Sequence, residues 1–180
     1  MKQIEQLKEI IDIRYPTKWK KEIVLHRHDY LIQEGEYSTG FYFIKKGSLH
    51  VFLNLEHDIQ TMRFGYPSSF ISALDSFIGN CPTKFSIQAI KKTTLVQIYR
   101  DDFFHIIDID EEIRQIWMSA LSVTLYQHIE REIDLLCKTP EERYYNLLRR
   151  SPHVFQEIPN KYIASYLRMA PETLSRLLKS

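Results

Sequence analysis

The sequence predicts an α+β protein in three parts: a small β-barrel or sandwich toward the N-terminus, one long helix, and a terminal group of short helices. Three observations predict it. Residues 22 to 100 hold many short β-branched and aromatic runs separated by turn residues. From Asp101 the apolar period becomes helical, and neither proline nor glycine interrupts residues 111 to 138. The last twenty-one residues read as two short helices joined by a tight turn. At 180 residues, with 44% apolar and 13% aromatic side chains, the chain suits one large domain or two small ones with a real core.

In chain order, Met1 to Lys20 reads as a helix through Ile4, Leu7, Ile10 and Ile11, ending near Tyr15-Pro16, with no signal-peptide core. Strands follow at residues 22–26, 40–44, 48–53 and 94–99, set apart by Gly35, Lys46-Gly47 and Gly65-Tyr66-Pro67. Asp101-Asp102 is placed to cap a short helix holding Phe103, Phe104, Ile106 and Ile107. The long helix, from about Glu111 to Lys138, carries two apolar stripes. One is Ile113, Trp117, Leu121, Leu125 and Ile129; the other is Ile109, Ile116, Ala120, Val123 and Gln127. One stripe can pack on the chain's own barrel, and the second needs another surface. A symmetric partner helix supplies it, which makes Ile113, Ile116, Ala120, Val123 and Gln127 the candidate dimer residues. The alternative is that both stripes are satisfied within one chain. Thr139-Pro140-Glu141-Glu142 then restarts a helix with a capping box. The expected divisions are therefore 1–110, 111–138 and 139–180.

Of the two terminal helices, the first buries Ile163, Ala164 and Leu167, with Tyr166 beside them. The second sets Leu174, Leu177 and Leu178 on an apolar face and Glu172, Thr173, Ser175, Arg176 and Lys179 on a polar one. Such a pair is how a helix-turn-helix reads DNA, and it is also how an ordinary helical hairpin caps a core. The overall charge of +1 hides an asymmetry: from Thr139 onward there are seven Lys/Arg against four Asp/Glu. Only that part has the sign a phosphate backbone attracts.

Once assembled, barrel, long helix and terminal helix pair resemble the Crp/Fnr family of bacterial transcription regulators over nearly the whole chain. The segments Leu31-Ile32-Gln33-Glu34-Gly35 and Phe41-Tyr42-Phe43-Ile44-Lys45-Lys46-Gly47-Ser48-Leu49 look like the cyclic-nucleotide-binding barrel, a double-stranded β-helix. There Gly35 and Gly47 would occupy turns that demand positive φ. The segments 162–167 and 171–176 are similar to the family's DNA-reading hairpin. The resemblance implies that Glu172, Ser175 and Arg176 face base edges, since Arg binds guanine with two hydrogen bonds and Glu accepts from cytosine. Asn160, Lys161, Thr173 and Lys179 would meet phosphates. Three departures stand out. Arg168 occupies a turn position usually held by glycine, Ala170 precedes Pro171 where Ser or Thr would cap, and the sequence stops at Ser180 where relatives often continue into a β wing.

By the same resemblance, the cyclic-nucleotide cassette corresponds to Ser72, Ala73, Leu74 and Asp75, then Thr83 and Lys84. Ala73 stands where the ribose-binding carboxylate belongs, and Thr83 where the phosphate-binding arginine belongs. That weighs against cAMP or cGMP as effector. These six residues remain the candidate pocket for an unknown small molecule.

Other chemistry finds little support. Cys81 and Cys137 lie far apart, which points to a reducing, cytoplasmic setting without zinc or disulfides, and Cys137 reads as core. His26 and His28 share one face of a strand but lack a third ligand. No catalytic constellation, cofactor motif or membrane span appears. The expected protein is thus a homodimeric, sequence-specific DNA-binding regulator rather than an enzyme, with duplex DNA and a second copy as partners. The rival reading is a ligand-binding or protein-interaction module whose DNA-reading end has decayed.

Overall fold

A computed structural model describes residues 2–20, 22–56 and 58–179, with the side chains of Lys2 and Cys137 left aside. The expectation that Cys137 is core lies outside the described side chains. Helix α1 (Lys2–Arg14) ends in a 3-10 turn at Pro16–Lys18, where proline cannot continue the helix. Strands β1 (Ile23–Leu25), β2 (Tyr30–Ile32), β3 (Gly40–Lys46), β4 (Leu49–Leu55), β5 (Asp58–Gly65) and β6 (Phe70–Ile71) precede the short helix α2 (Leu74–Gly79). Strands β7 (Ser86–Ala89) and β8 (Thr93–Tyr99) close two antiparallel sheets, ordered β1-β8-β3-β6 and β2-β7-β4-β5.

Strand β3 reads as an unbroken apolar run because both its faces are covered. Tyr42 and Ile44 join Leu49, Val51, Ile87 and Leu95 between the sheets. Phe41 and Phe43 face outward into a second core with Leu7 and Ile11 of α1 and Ile113, Ile116 and Trp117. Gly47, at φ +91°, makes the turn between β3 and β4; a Cβ there would meet the Lys92 carbonyl oxygen at 2.4 Å. Gly35 also has positive φ, at +88°. The two histidines of His26-Arg27-His28 lie not on a strand but in a turn, with His28 at φ +73° and the His26 amide donating to Asp29.

Helix α3 (Arg100–Ile109) carries Asp101 and Asp102 in its first turn, where neither side chain caps it. Asp102 instead accepts from Lys18 at 2.8 Å, with Lys20 at 3.4 Å, and this pairing holds its carboxyl below the usual range. The cap of the next helix is Asp110, which accepts from the Ile113 amide, Arg14 and Tyr15. Burial works against its charge, yet those donors keep its pKa low.

Helix α4 (Glu111–Cys137) matches the expected span, and α5 (Pro140–Arg150) opens with the capping box between Thr139 and Glu142. The assignment of the stripes is corrected. Ile113, Ile116 and Ala120, expected at a partner, are buried against the chain itself together with Trp117. Val123 and Gln127 are exposed at the edge of that same side, and Ile109 belongs to α3. The outward apolar row is Met118, Leu125, Ile129 and Leu136, up to 77% exposed. The reason is geometric: at 3.6 residues per turn, each step of four advances about 40° around the helix. A row drawn through Ile113, Trp117, Leu121, Leu125 and Ile129 therefore spirals from the inner side to the outer one.

Candidate nucleic-acid interface and effector pocket

The terminal part continues with α6 (Val154–Glu157), α7 (Asn160–Tyr166) and α8 (Pro171–Leu177). Tyr162, Ile163, Ala164, Leu167 and Leu174 form its core with Tyr144 and Leu147 of α5, while Leu178, expected on the apolar face, is exposed. Anchored by the fully buried Leu174, α8 presents Glu172, Ser175, Arg176 and Lys179 to solvent. Those four side chains form no hydrogen bond or ion pair among the described residues. Asn160 and Lys161 are also exposed, with the Lys161 ammonium 4.6 Å from the Tyr162 ring, and Thr173 is half-buried.

Both local departures from a well-made hairpin are realised. Ala170 leaves the α8 N-terminus without a side-chain cap. Arg168 stands in the left-handed region at φ +51°, its amide donating to Ser165 and its carbonyl accepting from Arg143. A side chain in that conformation costs on the order of 1–2 kcal/mol. Arg168→Gly is therefore expected to stabilise the protein by about 1 kcal/mol once the extra freedom of the unfolded chain is counted. Thermal melting should show a rise of about 2–4 °C; an unchanged or lower midpoint would show that the turn carries no such strain.

Helix α7 is docked on the edge of the barrel. The Ser165 hydroxyl donates to the Ile59 carbonyl at 2.8 Å and accepts from the Thr61 amide at 2.9 Å, so it satisfies the open edge of β5. The Gln60 amide group donates to the Ser165 carbonyl. From α4, Arg131 donates to the carbonyls of Thr61 and Tyr166, at 3.1 and 3.0 Å, and its guanidinium lies 4.5 Å from the Tyr166 ring centre. His50 of β4 is 2% exposed, stacks on Phe52 and meets Tyr162 edge-on at 4.7 Å. Burial pushes its pKa down to about 4, so it docks as a neutral ring. A second staple fixes α5 to α4, where Asp134 accepts from Asn146 at 2.7 Å and Arg150 at 3.0 Å. None of these residues stands out in sequence; the sole hint is a polar side chain inside an apolar run, as in Ser48-Leu49-His50-Val51-Phe52.

Of the six cassette residues, Ser72, Asp75, Thr83 and the backbone of Lys84 make hydrogen bonds within the protein. Ser72 donates to the Gly40 carbonyl and meets Ser38 at 2.9 Å. Ala73 is buried as the N-cap of α2 and carries no side-chain cap. The Asp75 carboxylate accepts from the Ser76 amide at 2.8 Å, the Thr83 hydroxyl at 2.9 Å and the Lys84 amide at 2.9 Å. These are the kinds of donor an anionic phosphate would take, and here a side-chain carboxylate already holds them. The void lined by Ser72 and Leu74 measures about 20 Å³, little more than one water. Phe41, Phe70, Phe77, Phe103 and Trp117 pack beside it, with ring centres as close as 4.3 Å. That void is too small for a nucleotide.

Residues 22–110 match the family model of the cyclic nucleotide-binding domain. No curated protein matches the sequence. Among solved structures the chain is similar to FixK2 from Bradyrhizobium japonicum, with 19% identity, 88% of this chain and 82% of that chain covered, and a TM-score of 0.76. A CooA mutant from Carboxydothermus hydrogenoformans gives 17% identity, 96% and 82% coverage and the same TM-score. The c-di-GMP responsive global regulator CLP of Xanthomonas campestris gives 13% identity, 97% and 89% coverage and a TM-score of 0.70. The fold is thus a cyclic nucleotide-binding domain followed by helices, arranged as in these solved structures. No described helix is long and apolar enough to cross a membrane.

Proposed function

We propose that the protein is a homodimeric, sequence-specific DNA-binding transcription regulator of Crp/Fnr type whose effector is not a cyclic nucleotide. The observation that carries this reading is the free, solvent-facing set Glu172, Ser175 and Arg176 on a helix pinned by Leu174. Their i, i+3, i+4 spacing puts all three on one face, where Arg176 suits guanine and Glu172 suits cytosine. Asn160, Lys161, Thr173 and Lys179 flank them as phosphate contacts. The outer row of α4 supplies the two-fold seam, and residues 1–110 supply the sensor. The Asp75 network supports the exclusion of cAMP and cGMP, because a ligand phosphate would have to displace a carboxylate from all three donors.

The test is selection of bound duplexes from a random pool, followed by Arg176→Ala. We expect the variant to lose about 1–3 kcal/mol of discrimination at one base pair per half-site, while its salt dependence stays steep. Unchanged sequence preference in the variant would reject the role of Arg176.

A second reading is favoured by specific features: the strained Arg168, the uncapped α8, and α7 held on β5 by Ser165 and Arg131. In it the terminal helices are a structural part of a ligand- or protein-binding module. Gel shifts at two salt concentrations separate the two, since the module would show no selectable, salt-steep affinity.

A further inference from the structure

Strand β5, helix α4 and the terminal helices meet around Arg63, and no hydrogen bond or ion pair engages its guanidinium among the described residues. Two voids of about 90 and 100 Å³ open beside it, sharing Arg63, Tyr66, Ser69, Phe70 and Gln127. One extends along α1 and α4 past Val123 and Thr124; the other reaches the terminal helices at Leu147, Ser151, Val154 and Tyr166. No Asp or Glu is among the residues lining either void. The Ser68 hydroxyl, in a residue held at φ +62°, and the Gln127 amide are likewise without hydrogen-bond partners among the described residues.

Arg131 of α4 adds positive charge nearby; burial lowers the pKa of neighbouring His128, and the fields of Arg63 and Arg131 lower it further, which favours its neutral ring. Burial likewise works against the charge of Arg63 itself. A partly desolvated guanidinium left unpaired is costly, and an anion is what relieves it. Each void exceeds the roughly 10–15 Å³ a water needs, and each falls well below the roughly 300 Å³ where sites for drug-sized ligands begin.

We propose that this junction binds a small oxyanion, a phosphoryl or carboxylate group gripped by Arg63 with help from Ser68 and Gln127, and that its occupancy ties β5 and α4 to the terminal helices. The regulatory consequence rests on the DNA-binding reading; the binding itself does not.

The experiment is thermal melting of the full chain in chloride, with inorganic phosphate in one arm and acetate in the other, at fixed ionic strength. A saturable rise of about 2–4 °C is expected in at least one arm, and the arm that responds identifies the group. Arg63→Met removes an uncompensated charge, so it should melt no lower than the parent in chloride and lose the anion response. Arg63→Lys keeps the charge without the fork and should bind at least threefold more weakly. The proposal is overturned by a parent protein flat in both arms, by a response that survives Arg63→Met, or by an Arg63→Met protein that melts well below the parent, which would mean the guanidinium holds structure. Anion binding without selectable DNA binding would remove the regulator reading and leave this site standing; the converse would remove the site alone.

Discussion

Ile129→Glu is expected to turn a dimer into a folded monomer at micromolar concentration. Ile129 sits midway along the outer row of α4, between Leu125 at 62% exposure and Leu136 at 77%. Solvent-facing apolar side chains at helical spacing over some five turns are costly unless covered, and a two-fold partner covers them with an identical row. Each isoleucine withdrawn from water contributes about 1.5–3 kcal/mol. The substitution removes two of them and sets two carboxylates close to the symmetry axis. The dimer constant should weaken by roughly 1,000-fold or more, equivalent to about 4 kcal/mol. Sedimentation measures this, while unchanged far-UV circular dichroism shows that the chain still folds, because Ile129 is not part of its own core. A variant that remains dimeric would place the seam elsewhere.

Trp117→Ala should be the most destabilising single change on α4. The indole is 6% exposed and lies edge-on to Phe41 and Phe103, each at 5.1 Å between ring centres. It fills the space between the barrel's outer face and the helix, where the surrounding rings belong to β3, β6, α2 and α3 and have little room to collapse inward. Truncation of a buried tryptophan costs about 3–5 kcal/mol. For a chain of this size that lowers the melting midpoint by on the order of 10 °C. A fall of under about 2 °C would mean that the aromatic cluster closes around the gap, so that Trp117 is dispensable for joining sensor to helix.

What sequence reveals here follows the range of each signal. The span of α4 and the start of α5 were legible because their determinants are adjacent in the chain: no proline or glycine within α4, and Thr139 with Glu142 forming the capping box at α5. Gly35, Gly47 and Arg168 were legible through the family resemblance, which put each at a turn that demands positive φ. The two stripes of α4 were misassigned because a row of every fourth residue winds around the helix, so membership depends on the angle rather than on the spacing alone. The Asp101-Asp102 cap failed because α3 begins at Arg100, with Tyr99 in the cap position, and Lys18 and Lys20, more than eighty residues away, claim Asp102. Arg131 and Ser165 gave no signal, and His50 gave only that of a polar residue in an apolar run. Their partners come from other elements, and such a residue looks the same whether it faces solvent or another layer. The proposed DNA contacts were read from local pattern and family resemblance, and α8 holds Glu172, Ser175 and Arg176 outward.

One measurement bears most directly on the claim that two copies of α8 read two sites on one duplex. Full-length protein is allowed to select from random DNA, and the complex on the recovered sequence is weighed by sedimentation at low and moderate salt. The account predicts an inverted repeat with half-site centres about one helical turn apart, on the order of 34 Å, occupied by two chains whose affinity falls steeply with salt. Recovery of no consensus, or of a site filled by a single chain, would contradict it.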